Sequence, residues 1–210
     1  MARQTIMMRL NKRTLLDGVH FLASKDRTLQ SVVTRYGSPP LWEREQGFAT
    51  LIFIILEQQV SLASAKAAYD KLLMHVAPLC PAGFIDLTDD QLKGFGFSRQ
   101  KTSYGRHLAN AILDKSLDLV KLADLEDQEA KARLMQVKGI GSWTADIYLL
   151  RALGRPDVWP SGDLALAVAV QRLKGLATRP SPRELDIMSR AWRPWRAVAA
   201  RILWHYYLNE

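Results

Sequence analysis

The chain is short of several things, and each shortage removes a class of protein. It has one cysteine, Cys80, in 210 residues, so no intramolecular disulfide can form and no zinc or iron-sulfur site needing several thiolates can be built. Its four histidines, His20, His75, His107 and His205, show no ligand spacing, and no Ser/His/Asp or Cys/His arrangement can be argued from the residue order. Long apolar runs are missing too: the longest, Phe48 to Leu56, has nine residues including Thr50, too few to cross a bilayer. The opening MARQTIMMRLNKR has neither the apolar stretch nor the small-residue cleavage site of a secretory leader, so a soluble, reducing, intracellular setting with no membrane partner is expected. Repeats, low-complexity segments and sustained two-residue alternation with β-branched residues are also absent.

What is present is core material and positive charge. A hydrophobic share of 48% is enough for a sizeable core without staples. The 29 lysines and arginines exceed the 21 acids by eight, and the excess is uneven: residues 1–50 carry +4, 51–130 carry −3, 131–170 carry +2 and 171–210 carry +5. Basic ends around a mildly acidic middle suggest a polyanionic partner, although a solvated basic surface would read the same way.

Apolar residues recur at three and four in nearly every segment, which predicts an all-α fold. Leu15, Leu16, Val19 and Leu22 form one stripe and Leu29, Val32, Val33 and Tyr36 a second, closed by Gly37 and Ser38-Pro39-Pro40. Gly47 to Met74 reads as a central buried helix with a candidate interruption at Gln58 to Ser61. Thr88 followed by Gln91 is the signature of a capped short helix. Further helices are expected over Arg99 to Asp114, with Tyr104, Leu108, Ala111 and Ile112 on one face, and over Asp127 to Met135.

Val137 to Asp146 reads VKGIGSWTAD, with that last helix before it and another, Trp143 to Leu153, after it. Two glycines in this spacing let the chain reverse in a tight hairpin. The reversal would expose the backbone N–H groups of Gly139, Gly141 and Thr144 at a helix N-terminus, where the helix dipole also favours an anion such as a DNA phosphate. An ordinary turn between two helices would look the same. Beyond it, Pro156, Pro160 and Gly162 enforce a loop, and DLALAVAVQRL starts a new helix at Asp163. Asp163 could be nothing more than an N-cap; capping and catalysis need not conflict, because N–H donors at a helix start favour the charged form of a carboxylate.

Taken in order, FATLIFIILEQQVSLASAKA, GFSRQKTSYGRHLANAI, VKGIGSWTADIYLLRALGRPDVWPSGDLAL and WRPWRAVAARILWHYY resemble the helix-hairpin-helix DNA glycosylases and, within them, the DNA-3-methyladenine glycosylase II family, over most of the chain. The resemblance implies two helical lobes with the active site in the cleft between them: residues 51–151 with the hairpin, and residues 1–50 joined with 152–210. It makes Asp163 the catalytic aspartate. It places Trp204 against the flipped base, with Trp143 and Trp159 as further pocket walls, and makes Gln59 the wedge that fills the duplex, with Gln58 beside it. The carbonyls of Met135, Val137 and Ile140 fall where relatives hold a metal ion, which would be structural and monovalent; the chemistry itself needs no cofactor. Each assignment has a plain competitor. The tryptophans could be core, as is expected of Trp192 and Trp195, the glutamines could bridge buried backbone, and Arg193, Arg196 and Arg201 could form a solvated basic face.

Departures from the family pattern are informative. Relatives that also nick the backbone use a lysine amine where this chain has Trp143, so the resemblance implies a monofunctional enzyme. Lys138 stands where a proline is frequent, and Asp146 where an amide is. The chain has no cysteines near its C-terminus for the iron-sulfur cluster of the endonuclease III branch, and its length implies a compact form without the extra N-terminal β domain of longer relatives. The implied activity is hydrolytic removal of alkylated bases, the 3-methyladenine and 7-methylguanine class, from double-stranded DNA. A monomer is expected, working in the cytoplasm at a bacterial or archaeal nucleoid, or in a eukaryotic nucleus. The competing readings are a noncatalytic helix-hairpin-helix module that binds DNA or senses lesions, and a bifunctional oxidised-base glycosylase/lyase, which Trp143 argues against.

Overall fold

The computed structural model describes residues 9–210, so the reading of the opening residues as lacking a leader falls mostly outside the described part. Every regular element there is helical, and no strand occurs among the described residues. No described helix is long and apolar enough to cross a membrane. The chain divides into two compact units: Arg44–Ala152, and the segment up to Glu43 together with Leu153–Glu210.

The Arg44–Ala152 unit contains α3 (Phe48–Glu57), α4 (Leu62–His75), α5 (Pro81–Ile85), α6 (Asp89–Phe95), α7 (Arg99–Leu113), a 3-10 turn at Lys121–Asp124, α8 (Asp127–Met135) and α9 (Ser142–Arg151); it is preceded in sequence by α1 (Lys12–Lys25) and α2 (Arg27–Tyr36). Its centre is α3, whose Leu51, Ile52, Ile54 and Ile55 are fully buried and which packs against α4, α7 and α9. The amide of Gly47, just before α3, donates to the Tyr148 hydroxyl at 3.0 Å and so registers the start of α3 on α9. The predicted capping box exists: Thr88 accepts from the Gln91 amide, and the Gln91 side chain accepts from Thr88. The predicted interruption is also real, for α3 ends at Glu57 and α4 begins only at Leu62.

The second unit adds α10 (Leu164–Lys174), α11 (Pro182–Ser189), a 3-10 turn at Arg190–Trp192 and α12 (Arg196–Asn209) to α1 and α2. Here α12 is central, packed against α1, α2 and α10. Asp26 both ends α1 and caps α2, accepting from the amides of Thr28 and Leu29, while its other oxygen accepts from Trp192 Nε1 at 2.8 Å. Burial raises the Asp26 carboxyl, but the Trp192 indole, those two amides and the charge of Lys174 outweigh it and hold the group below its ordinary value. Trp192 is thus a packing residue, as expected, and Leu16 departs from the expected α1 stripe by being 43% exposed.

Candidate functional site

The helices α8 and α9 pack together as a hairpin. Its turn is anchored by two apolar side chains, Val137 and Ile140, both buried, and by amide donation from Val137 to Leu134 and from Ile140 to Val137. Gly139 has φ +98°, and a Cβ added there would lie 2.2 Å from Tyr104 Cγ, so glycine is required twice over: for the left-handed backbone and for contact with the ring. Gly141 differs, having φ −88° with open space where a Cβ would stand. It caps α9 without any side-chain hydrogen bond. The start of α9 therefore presents main-chain donors and the positive end of a helix at an exposed glycine, an arrangement suited to an oxyanion. Of the other residues assigned to phosphate, Gly139 is half-buried and Thr144 is buried.

Met135, Val137 and Ile140 bracket the same turn. The Val137 carbonyl already accepts from Ile140 at 3.0 Å and keeps a second lone pair, so the donor set would be neutral carbonyl oxygens, chemistry that suits a hard, weakly charged ion and not a zinc-type centre. The two departures in the hairpin behave differently. Lys138 is exposed. Asp146, where an amide was expected, is buried on α9, and Lys131 of α8 reaches it with Nζ 2.7 Å from Oδ1 and 2.8 Å from Oδ2. The acid is thus balanced by a cation from the partner helix, and the pair joins the two arms of the hairpin.

The break between α3 and α4 separates the two glutamines. Gln58 is half-buried, and its Nε2 donates to the Gly139 carbonyl at 3.0 Å and to Thr144 Oγ1 at 2.9 Å. Gln59 is exposed and holds φ +56°, a left-handed conformation that a non-glycine residue adopts only when its neighbours hold it there. The residues just before are fixed: Arg44 makes a two-bonded ion pair with Glu57 at 2.6 and 2.9 Å, and Lys101 Nζ donates to the Leu56 carbonyl at 2.6 Å. Burial pushes the Lys101 ammonium below its ordinary value.

In the other unit the structure brings Asp163 and Trp204 together. Asp163 is the N-cap of α10; its Oδ1 accepts from the Leu166 amide at 3.0 Å and from Trp204 Nε1 at 3.1 Å. Its own amide donates to Pro160 at 2.9 Å, so the proline loop sets the carboxylate from behind. Asp163 is 8% exposed and Trp204 6%. Trp159 lies in the same unit but packs on Trp192 with ring centroids 5.2 Å apart. Trp143 belongs to the hairpin unit, half-buried in the first turn of α9.

The C-terminal arginines do not form one basic face. Arg201 is buried, donating to the carbonyls of Leu41 and Ala197; Arg196 is paired with Asp157 through two bonds; Arg193 alone of the three is exposed. Sequence reasoning also missed Lys131, Arg44, Glu57 and Lys101. Their partners lie 13 to 45 residues away across turns, where no periodicity signals a pair.

Comparison with known proteins agrees with this architecture. Residues 52–197 match the family described as HhH-GPD superfamily base excision DNA repair protein. The Bacillus subtilis protein YfjP is 25% identical over 185 residues, 84% of this chain, which spans 64% of that relative's length. DNA-3-methyladenine glycosylase 1 of Schizosaccharomyces pombe is 27% identical over 182 residues, 85% of this chain and 80% of the relative. Among solved structures, the Schizosaccharomyces pombe 3-methyladenine DNA glycosylase Mag1 in complex with abasic DNA superposes with a TM-score of 0.84 at 25% identity, covering 90% of this chain and 95% of that one. Hairpin, glycine turn and capped aspartate all fall within the matched residues, and the chain belongs to the HhH-GPD superfamily of base excision DNA repair proteins.

Proposed function

We propose that this chain is a monofunctional DNA glycosylase that extrudes alkylated purines of the 3-methyladenine and 7-methylguanine class from duplex DNA and hydrolyses the N-glycosidic bond, leaving an abasic site. The observation that carries the reading is the Asp163 corner, a nearly buried carboxylate held by a helix amide and an indole N–H on one oxygen. The names of the similar glycosylases support the substrate class.

Such a base carries positive charge before it is cut, so the leaving group needs little protonation and one carboxylate suffices. As the bond to C1′ lengthens, its electron pair leaves with the base and the sugar gains oxocarbenium character. Asp163 stabilises that cation from a fixed position and needs no reorganisation to do so. Water then bonds to C1′ and passes its extra proton to bulk solvent, leaving a neutral base and a neutral abasic sugar. Trp204 would both orient Asp163 and offer an electron-rich face to a cationic base, an effect of about 0.5–2 kcal/mol. The remaining discrimination would come from easier extrusion of damaged bases. Trp143 supplies no amine, so no Schiff base forms and the backbone stays intact. Main-chain donors at Gly139 and Gly141, with a monovalent ion on the nearby carbonyls, would hold phosphate without reading sequence. The protein would work where the cell keeps its DNA, in a nucleoid or a nucleus.

Single-turnover release of 7-methylguanine and 3-methyladenine from methylated duplex tests this, with native protein and Asp163→Asn compared and alkali added to reveal abasic sites. The expected result is release by the native protein, loss in the variant with DNA binding intact, and strand breaks only after alkali. Tight binding without release by either protein would overturn the reading in favour of a noncatalytic DNA-binding module, and borohydride-trapped protein–DNA adducts would overturn the monofunctional assignment.

A further inference from the structure

We propose that Gln58 is a positioning residue that makes the phosphate-gripping hairpin and the Gln59 tip one mechanical element, so that seating of the DNA backbone sets the tip into the gap left by an extruded base. This rests on the glycosylase reading above together with the family resemblance, which makes Gln59 the wedge that fills that gap.

Three links converge on the three residues before the tip, Leu56, Glu57 and Gln58, and one of them runs to the hairpin. Gln58 Nε2 bridges the Gly139 carbonyl and Thr144 Oγ1, one on the turn and the other in the first turn of α9. Gly139 is itself pressed on Tyr104 of α7, and α7 also sends Lys101 to the Leu56 carbonyl at the end of α3. Glu57 is held by Arg44, whose guanidinium lies 4.4 Å from the centroid of the Phe53 ring. On the far side of the tip, Ser61 caps α4 by accepting from the Ser64 amide at 3.2 Å. Gln59 is therefore left-handed and exposed between two fixed flanks. A displacement of the hairpin would be transmitted to Gln58, because its amide nitrogen has one acceptor on the turn and the other in the first turn of α9, and from Gln58 the next peptide is the tip. The plain competitor is that Gln58 only satisfies a carbonyl, in which case its loss would affect stability and general DNA binding but not the tip.

The full chain is titrated with an undamaged duplex and with the same duplex carrying a tetrahydrofuran abasic analogue, using native protein, Gln58→Leu, Gln58→Glu, Gln59→Ala and the Gln58→Leu/Gln59→Ala pair. Native protein is expected to prefer the abasic duplex. Gln58→Leu should lose about tenfold of that preference, the worth of two modest hydrogen bonds, while its affinity for undamaged duplex changes by less than about twofold. Gln58→Glu, similar in shape but unable to donate to Gly139, should fall with it. The paired variant should match Gln59→Ala alone, the signature of residues acting through one another. Retained preference in Gln58→Leu or Gln58→Glu, or losses that add to that of Gln59→Ala, would overturn the coupling. Should Gln58→Leu melt early, Thr144→Val removes one acceptor at nearly constant shape and should lose about threefold, with retained preference again overturning the coupling. Native protein that neither releases alkylated bases nor prefers the abasic duplex overturns the glycosylase reading and the coupling with it, whereas native release with unchanged preference in the Gln58 variants overturns the coupling alone.

Discussion

On the proposed function, the Arg44–Ala152 unit would offer a ligand main-chain amides at a glycine turn, whereas the unit made of the flanking segments would offer one carboxylate, 8% exposed. The central helices differ in the same sense. Most of α3 is apolar, with Thr50 and the terminal Glu57 the exceptions; α12 buries a run from Ala197 to Trp204 that includes Arg201 and supplies the indole that holds Asp163. A backbone site needs only a turn of the right shape, and side chains elsewhere keep that shape. A carboxylate site needs a specific donor, which here comes from 41 residues further along the chain. The first should tolerate substitutions that leave the turn alone, and the second should not tolerate loss of a single charge.

Asp163→Asn is the sharpest test of this contrast. Asparagine can still accept from Leu166 and Trp204, so the fold and DNA affinity should persist while single-turnover base release falls on the order of 10²–10³-fold. Retained release would erase the distinction between the units. The next largest effect separates the two glycines. Gly139→Ala meets both a left-handed backbone and the Tyr104 ring and should lower unfolding free energy by about 2–4 kcal/mol in urea titrations. Gly141→Ala should stay within about 0.5 kcal/mol of native while weakening duplex affinity severalfold by anisotropy, since the methyl would stand in the open approach to the amides. Equal stability losses at both positions would mean that the turn, and not the open space, is what Gly141 serves.

Within the hairpin, Asp146→Asn removes the partner of a lysine whose side chain is 26% exposed and can still reach water, so a cost of about 1–2 kcal/mol is expected, below that of breaking a fully buried pair. Lys131→Met added to it should recover part of the loss. The smallest effect concerns Asp26. Its carboxyl is held below the unfolded value, so its stabilisation is complete above that value and disappears as pH falls through the lowered one. Trp192→Phe removes the indole donor that lowers it, so the urea midpoint of this variant should approach that of the native protein as the pH is taken from neutral to about 2. A midpoint gap that does not narrow would assign the whole effect to packing.

Local chemistry made much of this legible in advance. The Asp163 cap, the Thr88 box, the break after α3 and the hairpin helix at Asp127–Met135 all announce themselves in neighbouring residues. Faces set by distant contacts were harder to read. The spacing in α7 points to Tyr104, Leu108, Ala111 and Ile112, yet the buried set is Thr102, Gly105, Leu108 and Ala109, because Gly105 lets Phe84 lie where a Cβ would come within 2.5 Å of its ring. Along α12 eight consecutive residues are buried, so helical periodicity carries no signal and Arg201 reads wrongly as surface. The two glutamines are adjacent and chemically identical; only the backbone turn separates the one that braces from the one that projects.

Chain connectivity adds a consequence in time. The unit Arg44–Ala152 is one uninterrupted stretch, whereas the other is closed by links such as Asp26 to Trp192 and Leu41 to Arg201, which span 166 and 160 residues. Closing long loops is slow and entropically costly, and nascent chains tend to fold from the N-terminal side as they emerge. Force measurements on ribosome-arrested chains should record tension once α9 has cleared the exit tunnel and again after α12; one late event would contradict this order. On the proposed function, a growing chain would thus acquire its grip on phosphate before Trp204 exists to seat Asp163, and the bond-breaking chemistry would be the last property to be installed.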